Sequence, residues 1–392
     1  MSKRILLTVQ PVESHVRAIS EVARLLENQG HAVRIAAPQE FGQRLMRTYG
    51  FSHVPAGIDW AADPIVGDLL SSVLVNSGNK KFVDTLLTEY LAGPSALRMA
   101  RDVIGIIDEW RPNLILRDCT ELGGYLAAIK CNIPQVSLDN GFIRLMTTNR
   151  ESLLPALGKF RAELGIADSE PSRASGTVLT PAPPELLLHD LPDISVQAYR
   201  HENSRRLGER LPAWMAKIPT DRPLIYVSLG SIITCASGLS EVAVEWYRRI
   251  IAALSRIHCN AVVSVGRKNV GRFDAPPHIT VTAFAPQPLL LQAGVALFIT
   301  HGGFGSLKES LNANVPMAIA PICSDQPDNA RRCEELNMSL TLEPTDTPDE
   351  IETTVRKMLS DQSFRENTIA WQRKALALPP LGSVLDRILS CC

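Results

Sequence analysis

Short apolar runs alternate through both halves of the chain with stretches in which apolar side chains return every three or four positions. Ile5 to Val9 is such a run; it passes through Pro11 into a segment with Ile19, Val22, Ala23 and Leu26 at helical spacing, closed by Gly30, and a second run, Ala32 to Ala36, follows. Period-free run, helical period and second run together predict a βαβ unit. The same alternation recurs at Leu114 to Arg117, a helix from about Glu121 to Lys130, and Gln135 to Leu138. In the second half Leu224 to Leu229, Ala261 to Val265, Ile279 to Thr282, Val295 to Thr300 and Pro316 to Ala320 read as buried strands, with helices at Val242 to Leu254 and Ser306 to Ala313. Repeated βα units give parallel sheets, so the expected class is α/β, with two Rossmann-like doubly wound domains facing a central cleft. In such sheets ligands lie beyond the carboxyl ends of the strands.

A length of 392 residues fits two domains at roughly 100 to 200 residues each. The boundaries expected are a first domain over 1–205, a linker over 206–222, a second domain over 223–375, and a C-terminal helix over 376–392 that packs back on the first domain. The linker is read from Pro181 to Pro184, the polar Arg200 to Arg210, and Pro212, Pro219 and Pro223. Residues 57 to 95 are irregular, with Gly57, Pro64, Gly67, Gly78 and Gly93 among apolar side chains, and long irregular insertions of this kind commonly bind a ligand. Trp60, Ile65 and Leu69, with Phe142 further on, are candidates to line a pocket there or to belong to the core.

A formal net charge of −1 leaves no basic excess for nucleic acid or an anionic membrane, so an anionic ligand must be held by local geometry. The apolar start, Ile5 to Val9, is too short for a secretory segment, and Val295 to Thr300 falls far below the ~20 residues of a membrane span; the expected location is the cytoplasm. Eight cysteines without a CxxC pair point to reduced thiols, the terminal Cys391-Cys392 included, and no metal site is expected.

Phe298-Ile299-Thr300-His301-Gly302-Gly303-Phe304-Gly305-Ser306-Leu307-Lys308-Glu309 is a strand, a glycine-rich turn and a helix start. Such a turn lets backbone amides and the helix dipole approach a phosphate, although it lacks both the P-loop and the dinucleotide glycine patterns. From Phe284 to Arg331 the chain resembles the donor-binding signature of the family 1, GT-B-fold glycosyltransferases. The resemblance rests on Phe284-Ala285-Pro286-Gln287, His301-Gly302-Gly303-Phe304-Gly305-Ser306, Glu309, Val315-Pro316 and Asp325-Gln326-Pro327-Asp328-Asn329-Ala330, in that order. It implies a donor site in which Phe284 stacks on the nucleobase, with Ala285 beside it and Gln287 near the ribose. His301, the amides of Gly303, Phe304, Gly305 and Ser306, and Ser231 would hold the diphosphate; Glu309 the ribose; Asp325 and Gln326 the sugar hydroxyls. Ser306-x-x-Glu309 also fits a capping box, Phe284 a core aromatic, His301 a histidine satisfied by the turn backbone, and Asp325-Gln326 a polar loop following Pro321.

By the same resemblance His15, just after the first strand, is the base of an inverting transfer, and Asp118, ending a strand, is its carboxylate partner. Two readings compete: Asp118-x-x-Glu121 fits a capping box, and His15 fits a polar residue at a helix start. Ser14 stands where the family has glycine, and the usual following proline is absent. The expected function is transfer of a hexose such as glucose from a UDP-sugar, or a TDP-sugar, to a hydroxyl of a small hydrophobic natural product. No cofactor beyond that co-substrate is implied, and the protein is expected as a monomer or homodimer. A silent nucleotide-sugar-binding auxiliary protein and a GT-B-fold epimerase are the alternatives.

Overall fold

The computed structural model describes residues 2–59, 80–167, 176–186, 194–201, 210–230, 233 and 239–391. Ser231, Trp60, Ile65 and Leu69 lie outside the described residues. The chain forms two α/β units. The first takes the residues up to His201 and then the final segment from Leu378, and the second ends at Ala377.

In the first unit a seven-stranded parallel sheet has the order β3-β2-β1-β4-β5-β6-β7. The strands are β1 (Arg4–Thr8), β2 (Ala32–Ala37), β3 (His53–Pro55), β4 (Leu114–Asp118), β5 (Gln135–Leu138), β6 (Thr177–Thr180) and β7 (Ser195–Ala198). Its main helices are α1 (Glu13–Asn28), α2 (Gln39–Tyr49), α3 (Pro94–Trp110), α4 (Leu122–Lys130), α5 (Ile143–Thr148) and α6 (Arg150–Glu163). Alternate strand residues serve opposite faces: Ile5 and Leu7 join Ile19, Val22 and Leu26 of α1, whereas Leu6 joins Val103 and Ile107 of α3. Burial on both faces explains why these strands read as unbroken apolar runs.

The second unit holds a six-stranded parallel sheet in the order β10-β9-β8-β11-β12-β13. It is built from β8 (Leu224–Ser228), β9 (Asn260–Ser264), β10 (Ile279–Thr282), β11 (Val295–Thr300), β12 (Met317–Ile319) and β13 (Ser339–Thr341). The helices used below are α7 (Leu239–Leu254), α8 (Gln287–Gln292), α9 (Phe304–Asn312), α10 (Gln326–Glu335), α11 (Pro348–Ser360) and α12 (Ser363–Ala377). Trp246, Tyr247, Ile250 and Leu254 of α7 pack on Ile225 and Val227 of β8. Finally α13 (Leu381–Ser390) returns to the first unit, where Leu381, Val384, Leu385 and Leu389 are buried with Val22 and Leu26.

The Pro181-to-Pro184 stretch differs from its reading as linker. It falls inside the first unit, between β6 and β7, where Pro184 opens a single 3-10 turn, Pro184–Leu186. Proline here ends a strand and sets a turn, and that local role looks the same in sequence as an interdomain spacer.

Candidate active site

Each sheet has one place where the strand order reverses, and there the loops on neighbouring strands turn in opposite directions and leave a crevice. In the first unit it lies between β1 and β4, with Thr8 paired to Arg117. The loop after β1 leads into α1 and carries His15 in its first turn; β4 ends on Asp118. His15 Nδ1 lies 2.6 Å from Asp118 Oδ2. Asp118 is about 1 % exposed and His15 about 11 %. Oδ1 of Asp118 accepts from the Thr120 backbone and hydroxyl, each at 2.9 Å, and from Asn140 Nδ2 at 2.8 Å. Burial pushes the Asp118 carboxyl up, but the charge of His15 and the hydrogen bonds from His15 and Thr120 outweigh it and hold the group below its ordinary value.

Neighbours stiffen this pair. Arg117 points to the other face of the sheet, donates to Gln135 at 2.7 Å and to the Cys119 carbonyl at 3.0 Å, and so fixes the turn after Asp118. The cap of α4 is Glu121, whose carboxylate accepts from Gly123 and Gly124 at 2.6 and 2.8 Å. The cap therefore does not occupy Asp118, which is left to His15. Phe142 packs beside the imidazole, ring centroids 5.6 Å apart.

The reversal in the second unit lies between β8 and β11, with Ser228 paired to Thr300. Gly230 follows the first strand and His301-Gly302-Gly303 the second. Gly303 is the N-cap of α9 and has no side chain to satisfy the first amides, which remain available to an anion. The helix thus begins at Phe304, so Ser306 and Glu309 sit inside it, and the capping-box alternative for that pair does not apply. Instead Gln287 Nε2 bonds both, Glu309 Oε2 at 2.7 Å and Ser306 Oγ at 3.2 Å. Phe284 is 57 % exposed, which removes the core-aromatic alternative, whereas Ala285 is buried. The imidazole of His301 is wedged: a methyl group on Gly230 would sit 2.7 Å from its Cε1, and one on Gly303 would sit 2.5 Å from its Nε2.

Asp325 and Gln326 open α10 and are both buried. Gln326 Oε1 accepts from the backbones of Ile322 and Cys323 at 2.8 and 2.9 Å, and its amide reaches Cys323 Sγ at 3.3 Å. Its carboxamide is thus committed at both ends to the loop after β12. Asp325 Oδ2 accepts from Asn329 at 2.7 Å, and the same amide reaches the Gly302 carbonyl at 3.0 Å, which ties α10 to the glycine turn.

Comparison with known proteins decides the family. Residues 211–374 match the family described as UDP-glucoronosyl and UDP-glucosyl transferase, and residues 24–157 match the N-terminal domain of the erythromycin biosynthesis protein CIII-like family. The chain is 24 % identical to NDP-glycosyltransferase YjiC of Bacillus subtilis (strain 168), over 90 % of this chain and 88 % of that protein. It is 23 % identical to the aclacinomycin-T 2-deoxy-L-fucose transferase of Streptomyces galilaeus, over 97 % and 94 %. The chain is a family 1, GT-B-fold glycosyltransferase. Its fold matches that of the glycosyltransferase VinC, solved with DTDP, at a TM-score of 0.79 and 23 % identity over 99 % and 98 % of the two chains. It is an enzyme of the antibiotic and natural-product type that uses nucleotide sugars.

In this glycosyltransferase His15, Asp118 and Phe142 come together in the first unit, and Gln287, Ser306 and Glu309, with His301 and Gly303, in the second. Sequence reasoning missed Asn140, Thr120 and Tyr247. The Tyr247 hydroxyl accepts from Leu229 at 3.0 Å and donates to the Ser264 carbonyl at 2.8 Å, which holds the turn before Gly230. Asn140 carried a signal, an Asp139-Asn140-Gly141 turn at the end of a strand. Among the described residues no helix is long and apolar enough to cross a membrane, and no group of three or more His, Cys, Asp or Glu is placed to hold a metal.

Burial pushes the His301 imidazole down from 6.5 to about 4, partly offset by its hydrogen bond to the Ser228 backbone. The ring is neutral near pH 7, so it brings no positive charge to an anion, and its single N–H is the one that bonds the Ser228 backbone. The unfolded chain takes up this proton at its ordinary pKa and the folded chain only near 4, so stability is lost as pH falls through that window. Allowing for the ring edge open to solvent, the loss is about 2 kcal/mol. Urea unfolding at pH 7 and 4.5 should show that much less acid destabilisation in His301→Gln than in the wild type; equal losses would refute it.

Proposed function

We propose that the enzyme transfers a hexose from a UDP-sugar, with inversion at the anomeric carbon, to a hydroxyl of a small hydrophobic acceptor, and that His15 is the base. The observation that carries this reading is the 2.6 Å contact of His15 Nδ1 with a buried, ionised Asp118 at the reversal point of the first sheet. A carboxylate only accepts, so Nδ1 carries the proton and Nε2 is the basic nitrogen. Nε2 takes the acceptor's proton as its oxygen bonds to the anomeric carbon; the bond to the diphosphate breaks on the opposite face, and the nucleoside diphosphate leaves with the electron pair. The amides from Gly303 to Ser306 and the α9 dipole receive the charge that develops there, with His301 wedged between Gly230 and Gly303 beside them. Glu309 and Gln287 serve the ribose, and Asp325 the sugar hydroxyls. We propose that no metal or other cofactor takes part.

A TDP-sugar is the second reading. One Glu309 oxygen already bonds Gln287 at 2.7 Å, which reduces what Glu309 gains from a ribose 2′-hydroxyl. A donor pair of UDP-glucose and dTDP-glucose with a hydrophobic phenolic acceptor, in EDTA, separates these readings. The product expected from either α-linked donor is the β-glycoside by NMR, at a rate EDTA leaves unchanged, with transfer lost in His15→Ala. An α-product, or a His15→Ala variant as fast as the wild type, would overturn the mechanism.

Phe284 is exposed and so contributes little to the core, while its face suits a nucleobase. Phe284→Ala should leave the unfolding midpoint nearly unchanged yet weaken nucleoside diphosphate binding about tenfold, at the lower end of ~1–3 kcal/mol for one stacked base. Isothermal titration with UDP measures it, and unchanged affinity would remove Phe284 from the site.

A further inference from the structure

The two oxygens of Asp118 have different neighbours. Oδ2 meets His15 Nδ1, whereas Oδ1 accepts from Thr120 and from Asn140 Nδ2 at 2.8 Å. Thr120 belongs to the same turn as Asp118 and moves with it. Asn140 comes from beyond β5, on a separate turn held by Asp139, whose backbone donates to Leu179 at 2.9 Å and whose carboxylate accepts from Gly141 at 2.8 Å and Thr180 at 3.0 Å; its Oδ1 lies 2.9 Å from the Cys119 thiol. Chemistry settles which way the amide points. A carboxylate offers no proton, so Nδ2 faces Asp118; the thiol, kept protonated by burial and by the charges of Asp118 and Asp139, donates to Oδ1. The same Nδ2 is 3.0 Å from His15 Nδ1. That nitrogen already gives its proton to Asp118, so the amide turns the positive end of an N–H dipole towards a ring that becomes cationic during transfer.

We propose that Asn140 is a positioning residue for glycosyl transfer: it pins Asp118 Oδ1 so that Oδ2 addresses His15, and its N–H dipole tempers the basicity of the pair. The inference rests on the reading of His15 as base. Other groups near the pair among the described side chains are Arg117 behind β4, Asp139 and the Cys119 thiol. None of these places a donor between Asp118 and His15; besides Asn140, the Thr120 hydroxyl touches both, 2.9 Å from Asp118 Oδ1 and 3.4 Å from His15 Nδ1.

The test uses Asn140→Ala and the nearly isosteric Asn140→Leu. A lost charge-assisted hydrogen bond should lower kcat roughly 10- to 100-fold with both KM values within about twofold. Removing the N–H also frees the carboxylate and removes the opposing dipole, two changes that both favour imidazolium. The acid limb of the kcat profile should therefore move to higher pH by roughly 0.5 to 1 unit, which a merely structural defect would not do. In an Asp118→Asn background Asn140→Ala should cost less than about twofold more, since it acts through Asp118. If neither Asn140 variant folds, the thiol carries the test: Cys119→Ala should lower kcat and Cys119→Ser, which keeps a donor, should restore it. Wild-type kcat and an unmoved acid limb in Asn140→Ala, with His15→Ala and Asp118→Asn inactive, overturn this inference alone. If those two variants also keep full activity, the base assignment itself falls.

Discussion

Asp118→Asn should lower kcat about 10³- to 10⁴-fold while leaving nucleotide binding and the fold intact, the loss expected when a base keeps its place but not its tautomer. Asparagine preserves the shape of a side chain that is nearly fully buried. Its oxygen can still accept from Thr120 and Asn140, so the turn after β4 is not left with unmatched donors. Its amide nitrogen would then face His15 Nδ1 at a distance now bridged by a hydrogen bond of 2.6 Å. Two N–H groups repel there, and the ring relieves the conflict by moving its proton to Nε2, where it can no longer accept one. Steady-state kinetics with a saturating acceptor measures the effect. Activity within about tenfold of the wild type would show that Asp118 serves the structure and not the chemistry.

Gly230→Ala should cost the second unit about 2–4 kcal/mol and weaken UDP binding by about 100-fold. Two separate penalties add. The backbone at Gly230 has φ +83°, a conformation that a residue with a Cβ adopts at about 1–2 kcal/mol. The new methyl group would also lie 2.7 and 2.8 Å from Cε1 and Nε2 of His301, whose ring cannot slip away because Gly303 closes the other side. Gly303→Ala is the matched control. Its φ of −63° is ordinary, so it meets the ring without backbone strain. Both variants should lose the stabilisation that UDP gives the folded state, but Gly230→Ala should unfold several degrees lower than Gly303→Ala. Equal midpoints would mean that the turn relaxes around the methyl group.

Strands buried on both faces were the most legible part of the chain. Val295 to Thr300 and Ile279 to Thr282 were read end to end, because nothing polar interrupts the first and a clean run bounds the second. The strands not read were β3, β6, β7 and β13, short elements with mixed side chains; β7 is half-exposed throughout, so no core demands a continuous run. The start of α9 was placed two residues late because Gly303 caps it with backbone alone, and a cap without a side chain leaves no mark in sequence. His15 and Asp118 were legible as residues at strand ends. Asn140 was marked only as part of a strand-end turn, and its significance arises only where the ends of β4 and β5 meet beside α1. Gln326 shows the opposite case: the motif marked it, but its contacts with Ile322 and Cys323 can be seen only in the folded loop.

The return of the last helix to the first unit has a consequence for protein engineering. The first unit takes chain from before His201 and again from Leu378, and the long stretch from Glu202 to Ala377, nearly all of the second unit, lies between them. Exchanging the second unit for that of a relative therefore needs two splice points, not one. A single crossover near residue 202 would import a foreign tail in place of Leu381, Val384, Leu385 and Leu389, side chains that the host's own α1 is shaped to receive. Chimeras that exchange only 202–377 and keep the native ending should fold where single-junction hybrids do not.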